Sequence, residues 1–189
     1  MALIPDIVSR LVKQGWEIQV EAGAGEAAYF SDRAYEEAGA TIIPDKATLW
    51  QNTDIITKVS SLKEEELPLL PKGKSVIGLL DPLGKPELIQ TLAEQGVNSF
   101  ALELMPRTSR AQSMDALSSQ GNIAGYKAVL LGATALPKFF PMLTTAAGTI
   151  RPATVFIIGV GVAGLQAIAT ARRLGALVQA FDIRPEVKE

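Results

Sequence analysis

Between Thr154 and Asp182 the sequence leaves few folds open. The apolar run Val155-Phe156-Ile157-Ile158 leads directly into Gly159-Val160-Gly161-Val162-Ala163-Gly164. Val162 to Leu174 then reads as a helix stopped by Gly175, and a second apolar run, Ala176 to Phe181, ends at Asp182. Strand, glycine turn, helix and strand in this order make one βαβ unit. Each glycine answers a separate geometrical demand. Gly159 allows the tight turn, Gly161 lets backbone amides approach a pyrophosphate, and Gly164 lets the helix pack closely on the strand. The anion would sit at the helix N-terminus, where unpaired N–H groups and the helix dipole favour it. Asp182 stands near the spacing of a ribose ligand. A carboxylate there accepts hydrogen bonds from a 2′-hydroxyl and repels a 2′-phosphate, so NAD(H) is expected rather than NADP(H). The predicted contact set is Gly159, Val160, Gly161, Val162, Ala163 and Gly164 with Asp182, Ile183 and Arg184. Arg184 meeting a phosphate is the second reading. The bland alternative, a glycine-rich turn with an exposed Asp after it, gives no reason for strand, glycines, helix and acid to fall in order.

Upstream, strand and helix signals take turns. Leu3, Ile7, Val8, Leu11 and Val12 recur at helical spacing before Gly15, and Trp16, Ile18 and Val20 alternate as a strand does. Helices are expected at Ser31 to Ala38, Asp45 to Gln51, Lys63 to Leu70 and Pro86 to Glu94. Strands are expected at Thr41 to Ile43, Asp54 to Val59, Val76 to Leu80 and Val97 to Leu102. This alternation predicts an α/β fold: a parallel sheet with helices on both faces, followed by the first βαβ unit of a Rossmann dinucleotide-binding domain. Met105 to Asp115 breaks the pattern as a polar loop, and Ser118 to about Leu136 reads as a long buried helix. Pro137, Pro141, Gly148 and Pro152 then punctuate the chain. The expected division is an α/β domain over 1–125, a connecting helical segment over 126–150 and a partial Rossmann domain over 151–189. An earlier run, Gly23-Ala24-Gly25-Glu26-Ala27-Ala28, mimics the glycine pattern. The best helix start after it, Ser31-Asp32, comes too late to point at a phosphate, so these glycines read as structural.

Composition narrows the chemistry. With 18 basic and 20 acidic residues interspersed, there is no basic face for nucleic acid. The 189 residues contain neither cysteine nor histidine, which removes disulfides, thiol catalysis, a His-based triad and the commonest zinc ligands. Met1 to Gly15 carries Asp6 and Arg10 and has no signal-peptide pattern, and the apolar runs are too short and glycine-broken to span a bilayer. Direct membrane insertion is therefore not expected, and a cytoplasmic location suits the composition.

The run from Met105-Pro106-Arg107-Thr108-Ser109-Arg110-Ala111-Gln112-Ser113-Met114-Asp115 through Ala128 resembles the NAD(H)-binding component of proton-translocating nicotinamide nucleotide transhydrogenases. Thr145-Ala146-Ala147-Gly148-Thr149 and the stretch from Gly159 to Gly175 resemble the same family, so the likeness covers nearly the whole chain. It implies that Arg107, Gln112, Asp115 and Ser118 lie beside a bound nicotinamide, with Arg107, Gln112 and Asp115 serving the transfer step. A guanidinium, an amide, a carboxylate and a hydroxyl can hold a carboxamide and ribose hydroxyls in one pose. Read from the residues alone, the same stretch is first a solvated loop with a helix cap at Asp115 or Ser118, as polar loops usually are. The resemblance further implies NADP(H) on a separate component, a membrane proton-channel component as partner, a homodimer, and a peripheral place on the inner membrane through that partner. A first strand with a Lys-Glu, Glu-Arg segment, normally upstream in such proteins, and the later Rossmann strands have no counterpart here, so the chain is expected to be a fragment truncated at both ends.

Two other functions compete. An alanine dehydrogenase-like enzyme would use a lysine and a histidine; Lys58 matches the lysine, but no histidine stands near Leu79 to Pro82. A non-catalytic remnant or pairing module is the other.

Overall fold

The computed structural model describes residues 1–187. It divides into two compact units, Met1–Met114 and a second from Asp115 onward. In the first unit, α1 (Pro5–Lys13) begins with proline at its first position and carries Asp6 in its first turn and Arg10 and Lys13 in its last, all favourable for the helix dipole. β1 (Gln19–Glu21) pairs in parallel with β2 (Thr41–Ile43). Between them lies α2 (Asp32–Glu37), capped by Ser31, whose Oγ accepts the amide of Ala34 at 3.3 Å. α3 (Lys46–Asn52) is capped by Asp45, which accepts both the amide and the hydroxyl of Thr48.

β3 (Ile55–Lys58), β4 (Ser75–Gly78) and β5 (Asn98–Ala101) form a second, wholly parallel sheet in the order β3-β4-β5, with α4 (Pro86–Glu94) making the β4 to β5 crossover. The parallel pairing follows the sequence expectation. Hydrogen bonding nevertheless separates β1-β2 from β3-β4-β5, and a cavity of about 450 Å³ is lined by both Gln19–Glu21 and Ile55–Lys58. Two apolar clusters match this division. Val8, Tyr35 and Ala40 centre one, and Trp50, Ile56, Val76, Leu80 and Leu92 are the heart of the other.

The helix expected over Lys63 to Leu70 is instead a 3-10 segment, Glu64–Leu69, with Pro68 inside it. Proline removes a backbone donor and crowds the preceding turn, which disfavours a regular α-helix there. The glycines of the early mimic are structural. The Gly23 amide donates to Asp32 at 2.9 Å, and a Cβ on Gly25 would lie 2.4 Å from the carbonyl oxygen of Phe30.

The second unit opens with α5 (Ala116–Ala135) and continues through a hairpin of β6 (Leu143–Thr145) and β7 (Gly148–Ile150) that the sequence pattern did not anticipate. β8 (Thr154–Ile158) and β9 (Leu177–Phe181) pair in parallel from Thr154 opposite Leu177 to Ile158 opposite Phe181, joined by α6 (Val162–Arg173). Val129, Ala153, Ala167, Ala171 and Ala176 form its core, with Val155, Ile157 and Val178 packed against them. The expectation that α5 is a buried helix is corrected here. Only Gly125 and Val129 of α5 are buried, while Leu117, Ile123, Tyr126 and Leu131 are exposed. Its apolar residues are spread around the axis, so a single packed face cannot cover them all.

Candidate functional site

The geometry concentrates at the C-terminal end of β8. Gly159 adopts a φ of +91°, in the left-handed region that glycine alone occupies without strain, and its amide donates to the carbonyl of Phe181 at 2.7 Å. Gly161 caps α6 in extended conformation with φ −79°, and a Cβ there would meet nothing nearer than a guanidinium nitrogen of Arg184 at 3.9 Å. At Gly164 the space is closed: a Cβ would lie 1.8 Å from the Gly159 carbonyl oxygen. One glycine turns the chain, one leaves an open approach, and one permits close packing. The first turn of α6, with Val162 and Ala163, presents amides that have no intrahelical acceptor.

Asp182 follows β9 and closes this turn. Its Oδ2 accepts the Val160 amide at 2.7 Å and Arg184 Nη2 at 2.9 Å, and its Oδ1 accepts the Arg184 amide at 2.9 Å and Nε at 3.0 Å. The Arg184 side chain, and after it the Val160 amide, hold the Asp182 carboxyl well below the usual carboxylate range. The carboxylate is thus ionised, 7% exposed and tied to the glycine turn, whereas Arg184 is half exposed and Ile183 projects into solvent.

The loop residues separate into two groups. Asp115 caps α5: its Oδ1 accepts the Ser118 amide at 2.8 Å and its Oδ2 the Ser118 hydroxyl at 2.6 Å. Arg107 and Gln112 belong to the first unit, both exposed, with Gln112 in a 3-10 segment, Ser109–Met114. The structure therefore brings Asp115 to Ser118, and Val160, Asp182 and Arg184 to one another.

Sequence reasoning overlooked two features. The first is Gly125, where a Cβ would lie 2.0 Å from the carbonyl oxygen of Ala163, so that α5 crosses the start of α6 in backbone contact. Its signal is the spacing of Gly121 and Gly125, one helical turn apart on α5. The second is an ion cluster at the cavity between β1 and β3. Glu66, 3% exposed, accepts Lys58 Nζ, Lys46 Nζ at 3.3 Å and the Lys63 amide at 2.9 Å. Lys58 also lies 6.0 Å from the Trp50 ring centre. Burial raises the Glu66 carboxyl, but the hydrogen bonds from Lys58, Lys63 and Lys46 outweigh it and leave the group below its ordinary value. Lys46 moves upward: burial lowers it, and the Glu66 hydrogen bond with the surrounding carboxylates prevails.

A carboxylate whose folded pKa is depressed contributes stability that is present above its unfolded value, about 4.3, and is lost as pH falls through the folded value. Lys46 works in the opposite sense, contributing below about 10.4 and losing that contribution at higher pH. Glu66→Gln should cost about 2 kcal/mol at pH 7, because it strands two partly buried lysines. The deficit should shrink as pH falls below about 4.3, which urea titrations of both proteins at a series of pH values will measure. A deficit independent of pH would contradict this role for Glu66.

Comparison with known proteins settles the family. The model for the N-terminal domain of alanine dehydrogenase/PNT matches residues 1–124, and that for the C-terminal domain matches residues 128–189. The chain belongs to the alanine dehydrogenase/PNT family. Within it, NAD(P) transhydrogenase subunit alpha of Cereibacter sphaeroides is 44% identical over 189 residues, covering 100% of this chain and 36% of that protein. The crystal structure of transhydrogenase from Sinorhizobium meliloti is 47% identical with a TM-score of 0.93, covering 99% of this chain and 56% of the other. Alanine dehydrogenase of Bacillus subtilis is 34% identical over 191 residues, covering 98% of this chain and 49% of that enzyme. This member of the alanine dehydrogenase/PNT family thus spans between 36% and 56% of the length of these relatives.

Proposed function

We propose that the chain is the NAD(H)-binding part of a transhydrogenase, passing hydride between NADH and an NADP+ held on a separate component. The observation that carries this reading is the Asp182 carboxylate fixed by the Val160 amide at the mouth of the Gly159 to Gly164 turn. A dinucleotide fits the residues present. The amides at the start of α6 face a pyrophosphate, Gly161 leaves space for its approach, and Asp182 receives the adenosine ribose. Asp182 with Ile183 and Arg184 forms the ribose end. Arg107, Gln112, Asp115 and Ser118 form the nicotinamide end, where Gln112, Asp115 and Arg107 orient the ring for transfer. The bound nicotinamide supplies the hydride, and the protein supplies position and electrostatics. Higher identity to transhydrogenase than to alanine dehydrogenase supports the choice of reaction.

In the same reading the component is a homodimer that docks on a membrane proton-channel component and an NADP(H)-binding component, and its hydride transfer is coupled to proton translocation. It then lies on the cytoplasmic side of the inner membrane through that partner. Among the described residues no helix is long and apolar enough to cross a membrane.

The alanine dehydrogenase alternative loses ground at Lys58. Its ammonium is engaged by Glu66, and the 189 residues contain no histidine to share the chemistry. Two assays separate the readings. Mixed with an NADP(H)-binding component, the chain extended to its relatives' length should reduce an NADP+ analogue at the expense of NADH. With pyruvate, ammonia and NADH it should form no alanine. Robust alanine formation without transhydrogenation would reverse the assignment.

A further inference from the structure

A carboxylate offers about four lone-pair positions, and Asp182 has a donor at each of them. Two donors are backbone amides, Val160 on Oδ2 and Arg184 on Oδ1, and the chain fold fixes them. The other two belong to the Arg184 guanidinium, Nη2 on Oδ2 and Nε on Oδ1, and these can leave. A ribose diol bound to a carboxylate needs one acceptor position on each oxygen. Those are the two positions that the guanidinium fills.

We infer that Arg184 holds the ribose positions of Asp182 closed in the free chain and is exchanged, donor for donor, for the 2′,3′-diol of the adenosine ribose. Arg184 is then a specificity-determining residue. This inference rests on the dinucleotide reading of the site and adds a competition within it. The exposure of the two partners favours exchange: the carboxylate side chain is 7% exposed and stays in place, while that of the arginine is 50% exposed and can swing outward. Displacement is offset donor for donor, since the two ribose hydroxyls take the acceptor positions that the guanidinium leaves and the half-exposed arginine is rehydrated. The released guanidinium has a short path, because Nη2 already lies 3.9 Å from the Cβ position of Gly161, beside the turn where a pyrophosphate would rest. A nucleotide whose 2′-oxygen carries phosphate has no hydroxyl donor there and cannot complete the exchange, so the pair selects for a free diol.

The test is an NMR titration of the isotope-labelled 189-residue chain, parent, Arg184→Ala and Arg184→Gln, with adenosine, 2′,3′-dideoxyadenosine, 2′-AMP and NADH. Removing the competitor in Arg184→Ala should tighten adenosine binding about three- to fivefold and leave dideoxyadenosine unchanged, with Arg184→Gln in between. In the parent, the Arg184 Nε–H signal should move with adenosine and stay still with dideoxyadenosine. Adenosine affinity that is unchanged or weakened in Arg184→Ala would overturn the exchange, even while NADH still shifts the Gly159 to Gly164 amides and the dinucleotide reading stands. Tighter parent binding of 2′-AMP than of adenosine, lost in Arg184→Ala, would overturn it in favour of a phosphate ligand. Failure of both NADH and adenosine to shift those amides would remove the dinucleotide reading and the exchange together.

Discussion

Gly164→Ala should lower the thermal unfolding midpoint of the chain by about 6–12 °C, whereas Gly161→Ala should leave it unmoved and weaken NADH binding about tenfold or more. The two glycines are three residues apart in one turn, yet they meet different surroundings. A methyl on Gly164 would stand 1.8 Å from the Gly159 carbonyl oxygen, which is backbone and cannot rotate aside, so α6 must separate from the end of β8. Overpacking of that kind costs about 3 kcal/mol. At Gly161 the backbone has ordinary dihedral angles, and the nearest atom to an added methyl is the mobile end of Arg184 at 3.9 Å. Stability should then change by less than about 0.5 kcal/mol, as at other accessible positions. The methyl would occupy the side from which a pyrophosphate approaches, and an affinity loss of about tenfold or more is expected. Calorimetry of both variants beside NADH titrations separates the outcomes. Equal stability losses at the two positions would contradict the division of labour in the turn.

Gln112→Asn should slow single-turnover hydride transfer by about tenfold or more while barely changing the NADH dissociation constant. The amide group is retained but withdrawn by one methylene, which spoils orientation more than attraction. Orientation of two rings for hydride transfer can contribute several kcal/mol to a barrier without appearing in ground-state binding. Gln112 is exposed in its 3-10 segment, so the substitution should not disturb a core. The measurement needs the chain extended to the length of its relatives and mixed with an NADP(H)-binding component, with reduction of an NADP+ analogue followed by stopped flow. If affinity falls in proportion to rate, the loop is a general ligand contact; if neither changes, it is ordinary surface.

The glycine turn was legible because backbone geometry restricts the residues that can occupy it. Gly159 needs a positive φ, Gly164 needs absent side-chain volume, and both demands are written at fixed spacing from an apolar strand. Parallel pairing was legible for a related reason, since strands that alternate with helices have few other ways to bury both faces. Pairings between distant residues left no such trace. Glu66 meets Lys46 across 20 positions and Lys58 across eight, and hydrophobic periodicity is silent on where charges converge. Gly125 looked like an ordinary small residue in α5 until the path of α6 beside it was known. The β6-β7 hairpin was concealed because Pro141, Gly148 and Pro152 read as punctuation around strands of three residues each; Gly148, at φ +130°, lets the second strand begin. Asp182 was recognised as an acid at a strand end, but its full set of donors depends on side-chain directions that spacing does not encode.

The central claim, that this site takes NAD(H), is tested most directly by titrating the chain extended to the length of its relatives, and its Asp182→Ala variant, with NADH and NADPH. The parent should bind NADH at least about tenfold more tightly than NADPH, because the carboxylate accepts hydroxyl donors and repels a phosphate. In Asp182→Ala that preference should collapse, chiefly through weaker NADH binding. A preference that survives unchanged in Asp182→Ala, or a parent chain that favours NADPH, would contradict the assignment of the Asp182 carboxylate to the ribose.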